Sequence, residues 1–177
     1  MSETMQNESG LVHAYLLDGA GGGRRLELAD FESWTPGQGD LWMHFDYTSE
    51  DARQWLRDSA GLEELVVDAL LTEETRPRAT LIGDGVLVAL RGINMNPGAE
   101  PDDMVSVRLW IDSERIISTR KRTLLSVRDI AEQLDAGKGP VDTQDFLVCL
   151  ADRIVWRMSD TLDQCEDQVA ALEEQVL

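Results

Sequence analysis

From about Asp142 to Leu177 the chain contains no Pro, no Gly and no turn cluster. Apolar side chains recur there at Leu147, Leu150, Ile154, Met158, Leu162, Cys165, Val169, Leu172 and Val176. The gaps alternate between three and four, which is one face of a helix. At 1.5 Å per residue the rod is roughly 50 Å long. Its last turn, Glu173 to Leu177, is acidic, lacks a Gly or Asn cap and still follows the stripe. Carboxylates at a helix C-terminus oppose the macrodipole. The helix is therefore expected to run on past Leu177, with the chain a fragment of something longer.

Upstream the pattern changes to period two. Leu11 to Leu17 reads as a strand, the glycine run 19–23 as a loose turn, and Arg25 to Leu28 as a short return strand. Leu41 to Tyr47 alternates Leu, Met, Phe and Tyr against Trp, His and Asp. Thr48 or Ser49 can cap a helix with Glu50 and Asp51 in its first turn, ending at Gly61. A second helix follows, with Leu62, Leu65, Val66, Ala69 and Leu70 on one face, and Pro77 closes it or opens the next strand. Thr80–Ile82 and Val86–Ile93 flank Gly83-Asp84-Gly85, a hairpin signal. Asn96-Pro97-Gly98 marks a longer turn.

Met104 to Ile111 sends Val105, Val107, Leu109 and Ile111 one way and Ser106, Arg108 and Trp110 the other. After Asp112-Ser113-Glu114 comes a strand over Arg115–Arg120. A helix then runs from a Thr123 cap to Leu134, stopped by Gly137-Lys138-Gly139-Pro140. This order predicts an α/β fold: an α/β/α layered domain around a mixed, largely antiparallel sheet, followed by the rod. The expected organisation is a disordered tail over residues 1–10, the layered domain over 11–140 and the long helix over 141–177.

Composition narrows the function. The chain holds 34 Asp plus Glu against 16 Lys plus Arg, a net charge of −18. Such a field repels phosphate backbones, which argues against nucleic acid as a partner, and attracts cations. Residues 142–177 alone carry nine acidic and two basic side chains. No run of about 18 apolar residues is present, so no segment reads as a membrane span. The acidic, polar start has no signal-peptide character. Cys149 and Cys165 fall roughly 24 Å apart on one straight helix, too far to pair, and free thiols suit a reducing compartment.

Candidate chemistry is sparse. The glycine run lacks the Lys-Ser/Thr of a phosphate loop. No Ser or Cys shows a nucleophile motif, and two isolated histidines make acid–base catalysis improbable, so no enzyme is expected. His44 and Asp46 share a strand face and could hold a metal, although such pairs more often serve the sheet itself. On the rod, Asp160, Asp163 and Asp167 share a helix face, and Cys165 adjoins Glu166. Carboxylates suit hard cations and a thiolate beside a carboxylate suits zinc. One helix cannot complete such a site, whereas copies from neighbouring subunits could. The plainer reading is a solvated helix face. Arg120-Lys121-Arg122 reads as a solvated turn, with partner binding as the alternative.

Three central runs carry a resemblance: Glu73-Glu74-Thr75-Arg76-Pro77-Arg78, Val88 to Gly98, and Asp103 to Trp110, continued by Ile116-Ile117-Ser118-Thr119-Arg120. Together they resemble the cytoplasmic N-terminal domain of ZntB-like zinc transporters, in the CorA-type divalent cation transporter superfamily. The resemblance covers roughly Leu11 to Leu177, and the rod matches by character only. It implies an α/β/α cytoplasmic domain, a stalk helix leading to the first transmembrane helix, and a homopentamer whose stalks surround the ion path. The family's Gly-Met-Asn signature is absent; Asn94-Met95-Asn96 lacks the Gly and falls in a strand-to-turn region.

The expected role is thus the cytosolic part of a zinc transporter, on the cytoplasmic side of the inner membrane, contributing assembly, cation attraction and metal sensing. No cofactor is expected, and divalent cations, zinc or magnesium, are the transported or sensed ions. The membrane would be reached only through helices beyond Leu177, this fragment itself being soluble. Magnesium or cobalt transport by a close relative, and a free-standing oligomer that binds metal or a protein partner, are the alternatives. Two apolar spans after Leu177, with Gly-Met-Asn following the first, would separate them.

Overall fold

The computed structural model describes residues 9–27, 30, 33–73, 76–100 and 103–176. Most of the expected tail (residues 1–8), Leu28 and the Glu74-Thr75 pair lie outside the described residues, as does Leu177.

Seven strands form one sheet: β1 (Leu11–Leu17), β2 (Gly23–Arg25), β3 (Leu41–Asp46), β4 (Arg78–Ile82), β5 (Gly85–Ile93), β6 (Met104–Ile111) and β7 (Arg115–Arg120). Their order is β2-β1-β3-β7-β6-β5-β4. Among the described residues only β3 and β7 pair in parallel; the other neighbouring pairs are antiparallel. Among the described residues the helices are α1 (Glu50–Asp58), α2 (Glu64–Leu71), α3 (Leu125–Asp135) and α4 (Thr143–Val176).

Each face of the sheet has its own core. On one, Trp42, Val107, Leu109 and Ile116 meet Ile130 and Leu134 of α3 and Phe146, Leu150 and Ile154 of α4. On the other, Phe45, Trp110 and Ile117 meet Ala52 and Leu56 of α1 and Val66 and Leu70 of α2. The layered α/β/α reading therefore stands. Because β3 and β7 lie mid-sheet, both of their faces are covered: His44 and Ser118 are buried on one and Thr119 on the other.

The differences from the sequence reading are local. The second strand begins at Gly23, because Gly23–Arg25 pairs with Leu17–Tyr15 and tightens the turn to Asp18–Gly22. Helix α1 stops at Asp58, short of Gly61. In α2, Leu65 is 64 % exposed and Val67 takes its place in the core. Thr123 does not cap α3. Leu124 holds the cap position, while the Thr123 hydroxyl accepts from Arg120 and its carbonyl from Asn96. Gly10, assigned to the tail, packs against Asp46: the Asp46 N–H donates to its carbonyl at 2.7 Å, and a Cβ there would meet Ser49 at 2.6 Å.

Helix α4 starts from a local cap, with the Asp145 N–H donating to Asp142 Oδ1 at 2.7 Å. Thr143 N–H also donates to Asp40 Oδ2, which ties the helix start to the edge of β3. Where α4 leaves the domain, Arg157 donates to both carboxylate oxygens of Asp129 on α3, at 2.7 and 2.6 Å. Both side chains are less than one-fifth exposed. A bidentate, half-desolvated pair of this kind is among the stronger ion pairs. Asp129→Asn should cost about 2 kcal/mol, read as a lowered urea midpoint with an unchanged slope.

Candidate functional site

The rod divides into two halves. Through Met158 its inner side is held by the domain: Phe146, Leu150 and Ile154 are buried, with Leu147, Cys149 and Met158 packed against the same core. Phe146, absent from the sequence-derived stripe, is 1 % exposed and lies 4.8 Å from the Trp42 ring. Beyond Met158 the stripe continues without cover: Leu162, Val169 and Leu172 are each more than half exposed. Cys165 is exposed as well.

The acidic residues singled out on the rod lie on this second half. Asp160, Asp163, Glu166 and Asp167 are exposed, and Asp160 accepts from Gln164 at 3.0 Å one turn on. Residues three or more positions apart are separated by at least about 4.5 Å along the axis. One straight helix therefore presents these carboxylates as a row and does not close them around an ion. Among the described residues, no three His, Cys, Asp or Glu side chains converge as a metal site would require. Both cysteines are free, and burial first, then Asp145, pushes the Cys149 thiol up from its ordinary value.

The strand candidates sit elsewhere. His44 is 1 % exposed, with Nδ1 2.8 Å from Ser118 Oγ, the hydroxyl that also receives Trp42 Nε1–H at 3.0 Å. His44 Nε2 has no partner among the described residues. Asp46 is turned to the chain's own groups: it accepts from the Thr48 N–H and hydroxyl and faces Arg120 at 3.7 Å. What the sequence reading missed is that the β1–β3 register sets His13 opposite His44, with ring centres 5.9 Å apart. No local signal marks that pair; it needs the strand pairing and the irregularity between Leu11 and His13.

Both imidazoles are held neutral at pH 7. Burial, then Arg25 and Arg120, lowers His13 to about 4, and burial, then His13 and Arg120, holds His44 well below its ordinary value. Neutral imidazoles have free lone pairs, but the neighbouring guanidinium opposes a bound cation.

The remaining motifs serve the fold. The glycine turn points its Ala20 and Gly22 amides at Asp18 Oδ1, at 2.7 and 2.9 Å, so the loop's donors are taken by its own carboxylate. Asn94 donates to Asp103, and Asn96 donates to Asn94 and to the Thr123 carbonyl. Lys121 pairs with Glu73 and Arg122 with Asp103.

Residues 37–177 match the profile of the family described as CorA-like Mg2+ transporter protein. The divalent cation transporter CmaX of Pseudomonas aeruginosa is 45 % identical over 179 residues, a match covering 96 % of this chain and 52 % of CmaX. The zinc transport protein ZntB of Pectobacterium carotovorum subsp. carotovorum is 37 % identical over 169 residues, covering 96 % of this chain and 51 % of that protein. The chain thus spans about half the length of the curated relatives it matches. In structure it resembles full-length CmaX, with a TM-score of 0.89 and 44 % identity over 95 % of this chain and 52 % of that one. The ZntB cytoplasmic domain from Vibrio parahaemolyticus follows at a TM-score of 0.78 and 28 % identity, covering 91 % of this chain and 64 % of that one.

Proposed function

Because the chain belongs to the family of CorA-like Mg2+ transporter proteins, we propose that it is the cytoplasmic portion of a divalent-cation transporter. The observation that carries this reading is the 45 % identity to CmaX, which extends over 96 % of the chain. Zinc is the ion proposed, on the likeness to ZntB.

In this reading the two halves of the rod have different tasks. The inner half anchors the helix to the layered domain. The outer half offers Leu162, Val169 and Leu172 as a seam for the same helix from neighbouring subunits, five in the arrangement the family resemblance implies. The exposed carboxylates Asp160, Asp163, Glu166 and Asp167, with Cys165 among them, raise the local concentration of divalent cations near the assembled stalks. A row from each of several subunits supplies what one helix cannot, an enclosure of carboxylates around an ion.

The test is flux. The full-length transporter carrying this chain, reconstituted into vesicles with a trapped metal-sensitive dye, should admit zinc faster than magnesium or cobalt. Asp160→Asn, Asp163→Asn and Asp167→Asn together should slow entry at low metal, and the effect should shrink as ionic strength rises. Leu162→Asp with Leu172→Asp should shift the sedimenting species to smaller assemblies. Absence of flux for all three ions would overturn the proposal, and faster magnesium or cobalt entry would overturn the assignment of zinc.

A further inference from the structure

A chain with a net charge of −18 gathers an unusual number of its cations at one corner. Arg78 on β4, Arg91 on β5 and Arg108 on β6 occupy neighbouring strands: Arg78 and Arg108 are both registered on Ala89, and Arg91 pairs with Ser106. Strand alternation puts them on the face that carries α1 and α2, the face of Leu87 and Trp110. Lys121 and Arg122 follow directly after β7, the neighbour of β6. At this corner Lys121 pairs with Glu73 and Arg122 with Asp103.

The corner contains a cavity of about 50 Å³, lined by Tyr47, Ser106, Arg108, Lys121, Arg122 and Glu73 among others. A single water needs about 10–15 Å³ by this measure, so the space holds roughly three to five waters. That is close to the size of one tetrahedral oxyanion and too small for a nucleoside. Its walls are built. Arg108 is 4 % exposed and its guanidinium stands over the Tyr47 ring at 5.5 Å. Tyr47 is also 4 % exposed, and its hydroxyl is buried without a hydrogen-bond partner among the described residues.

We propose that this cavity binds a phosphate group, with the Tyr47 hydroxyl and the Arg108, Lys121 and Arg122 side chains as its donors. A phosphate offers acceptors on every side, which a buried hydroxyl and several guanidinium and ammonium groups require. The carboxylates now on Lys121 and Arg122 are no obstacle. Glu73 and Asp103 form surface pairs with side chains 65 % and 38 % exposed, and such pairs yield readily. The shared field is visible in Glu73, whose carboxyl is held low by Lys121 first and by Arg108 and Arg122 as well. Phosphate can come from solution or from a lipid headgroup, and the donors are the same for both. The site is independent of the transport reading, since it lies on the face opposite α4.

Equilibrium dialysis of the chain against labelled inorganic phosphate, at constant ionic strength, should show one saturable site. Lys121→Gln with Arg122→Gln should weaken it roughly tenfold or more, and Tyr47→Phe several-fold, since charge-assisted bonds exceed neutral ones. Tyr47→Phe removes only a hydroxyl, so its melting temperature should hold and separate binding from folding. Arg128→Gln with Lys138→Gln, surface cations elsewhere, should leave binding unchanged. In parallel, co-sedimentation with phosphatidylcholine vesicles, with and without phosphatidic acid, identifies the source. Saturable inorganic phosphate supports a soluble ligand. Vesicle binding that needs phosphatidic acid and is lost in the same variants supports a headgroup. Neither signal, or equal weakening by Arg128→Gln with Lys138→Gln, overturns the site.

Discussion

Lowering the pH from 7.5 to 5 should cost the folded state about 2 kcal/mol from His13 alone, with a further loss in the same direction from His44. His13 and His44 are buried side by side and their folded values are depressed, His13 to about 4 and His44 well below 6.5. A histidine in the unfolded chain protonates near 6.5. Between that value and the depressed one the unfolded state binds more protons, so stability rises with pH through this window. It is fully present above pH 6.5 and is lost as the pH falls toward 4. The slope should approach about 1.4 kcal/mol per pH unit for each histidine.

The carboxylates do not mask this effect. Ordinary Asp and Glu titrate near 4, so the acid excess and its self-repulsion change little above pH 5. Urea midpoints at half-unit steps should fall steadily below pH 6.5, and His13→Gln should roughly halve the slope. A flat profile to pH 5 would mean that neither imidazole is held neutral. The same acid step tests the environment around Arg120, whose charge contributes to holding both rings neutral.

The second large effect separates the halves of α4. Leu150→Asp should cost at least about 4 kcal/mol, the loss of a core leucine plus an unpaired buried carboxylate. Leu150 is wholly buried between the sheet and α3. Against a typical total of about 5–15 kcal/mol, the variant should be partly unfolded at 37 °C or should have undocked its rod. Leu162→Asp, three turns further along the same stripe, should shift the stability of the isolated chain by less than about 0.5 kcal/mol. The two substitutions have the same chemistry and the same predicted helix face, and Leu162 is 62 % exposed. Denaturation midpoints of the pair would decide; equal losses would mean that the outer half is covered in the free chain.

Local physics made much of the architecture legible. β1 and β7 fall on the predicted bounds because each is a short run of strand-favouring residues between turns. The Gly83-Asp84 turn closes β4 on β5, with Ile82 opposite Gly85 and Gly83 at a positive φ of 55° that favours glycine. Gly137, at φ 70°, stands just past α3 for the same reason. The rod, too, was readable as a helix over its whole length, since a three-and-four spacing needs no partner to be recognised.

Partners and depth were decided only by the tertiary structure. Period two tells which side chains share a face; it does not tell which strand lies alongside. The pairing of β1 with β3 sets His13 on His44, and the pairing of β3 with β7 seals the polar face of both strands under α3 and α4. The Thr123 cap failed because its hydroxyl is taken by Arg120, three residues back, while Asn96 from a distant turn holds its carbonyl. One uniform stripe became a buried half and a bare half because the sheet is shorter than the helix, and no helix periodicity records where its support ends. The basic corner lay scattered: Lys121 and Arg122 were legible as a basic turn, but Arg78, Arg91 and Arg108 stand on three separate strands. Strand register, set by contacts tens of residues apart, is what brought them together.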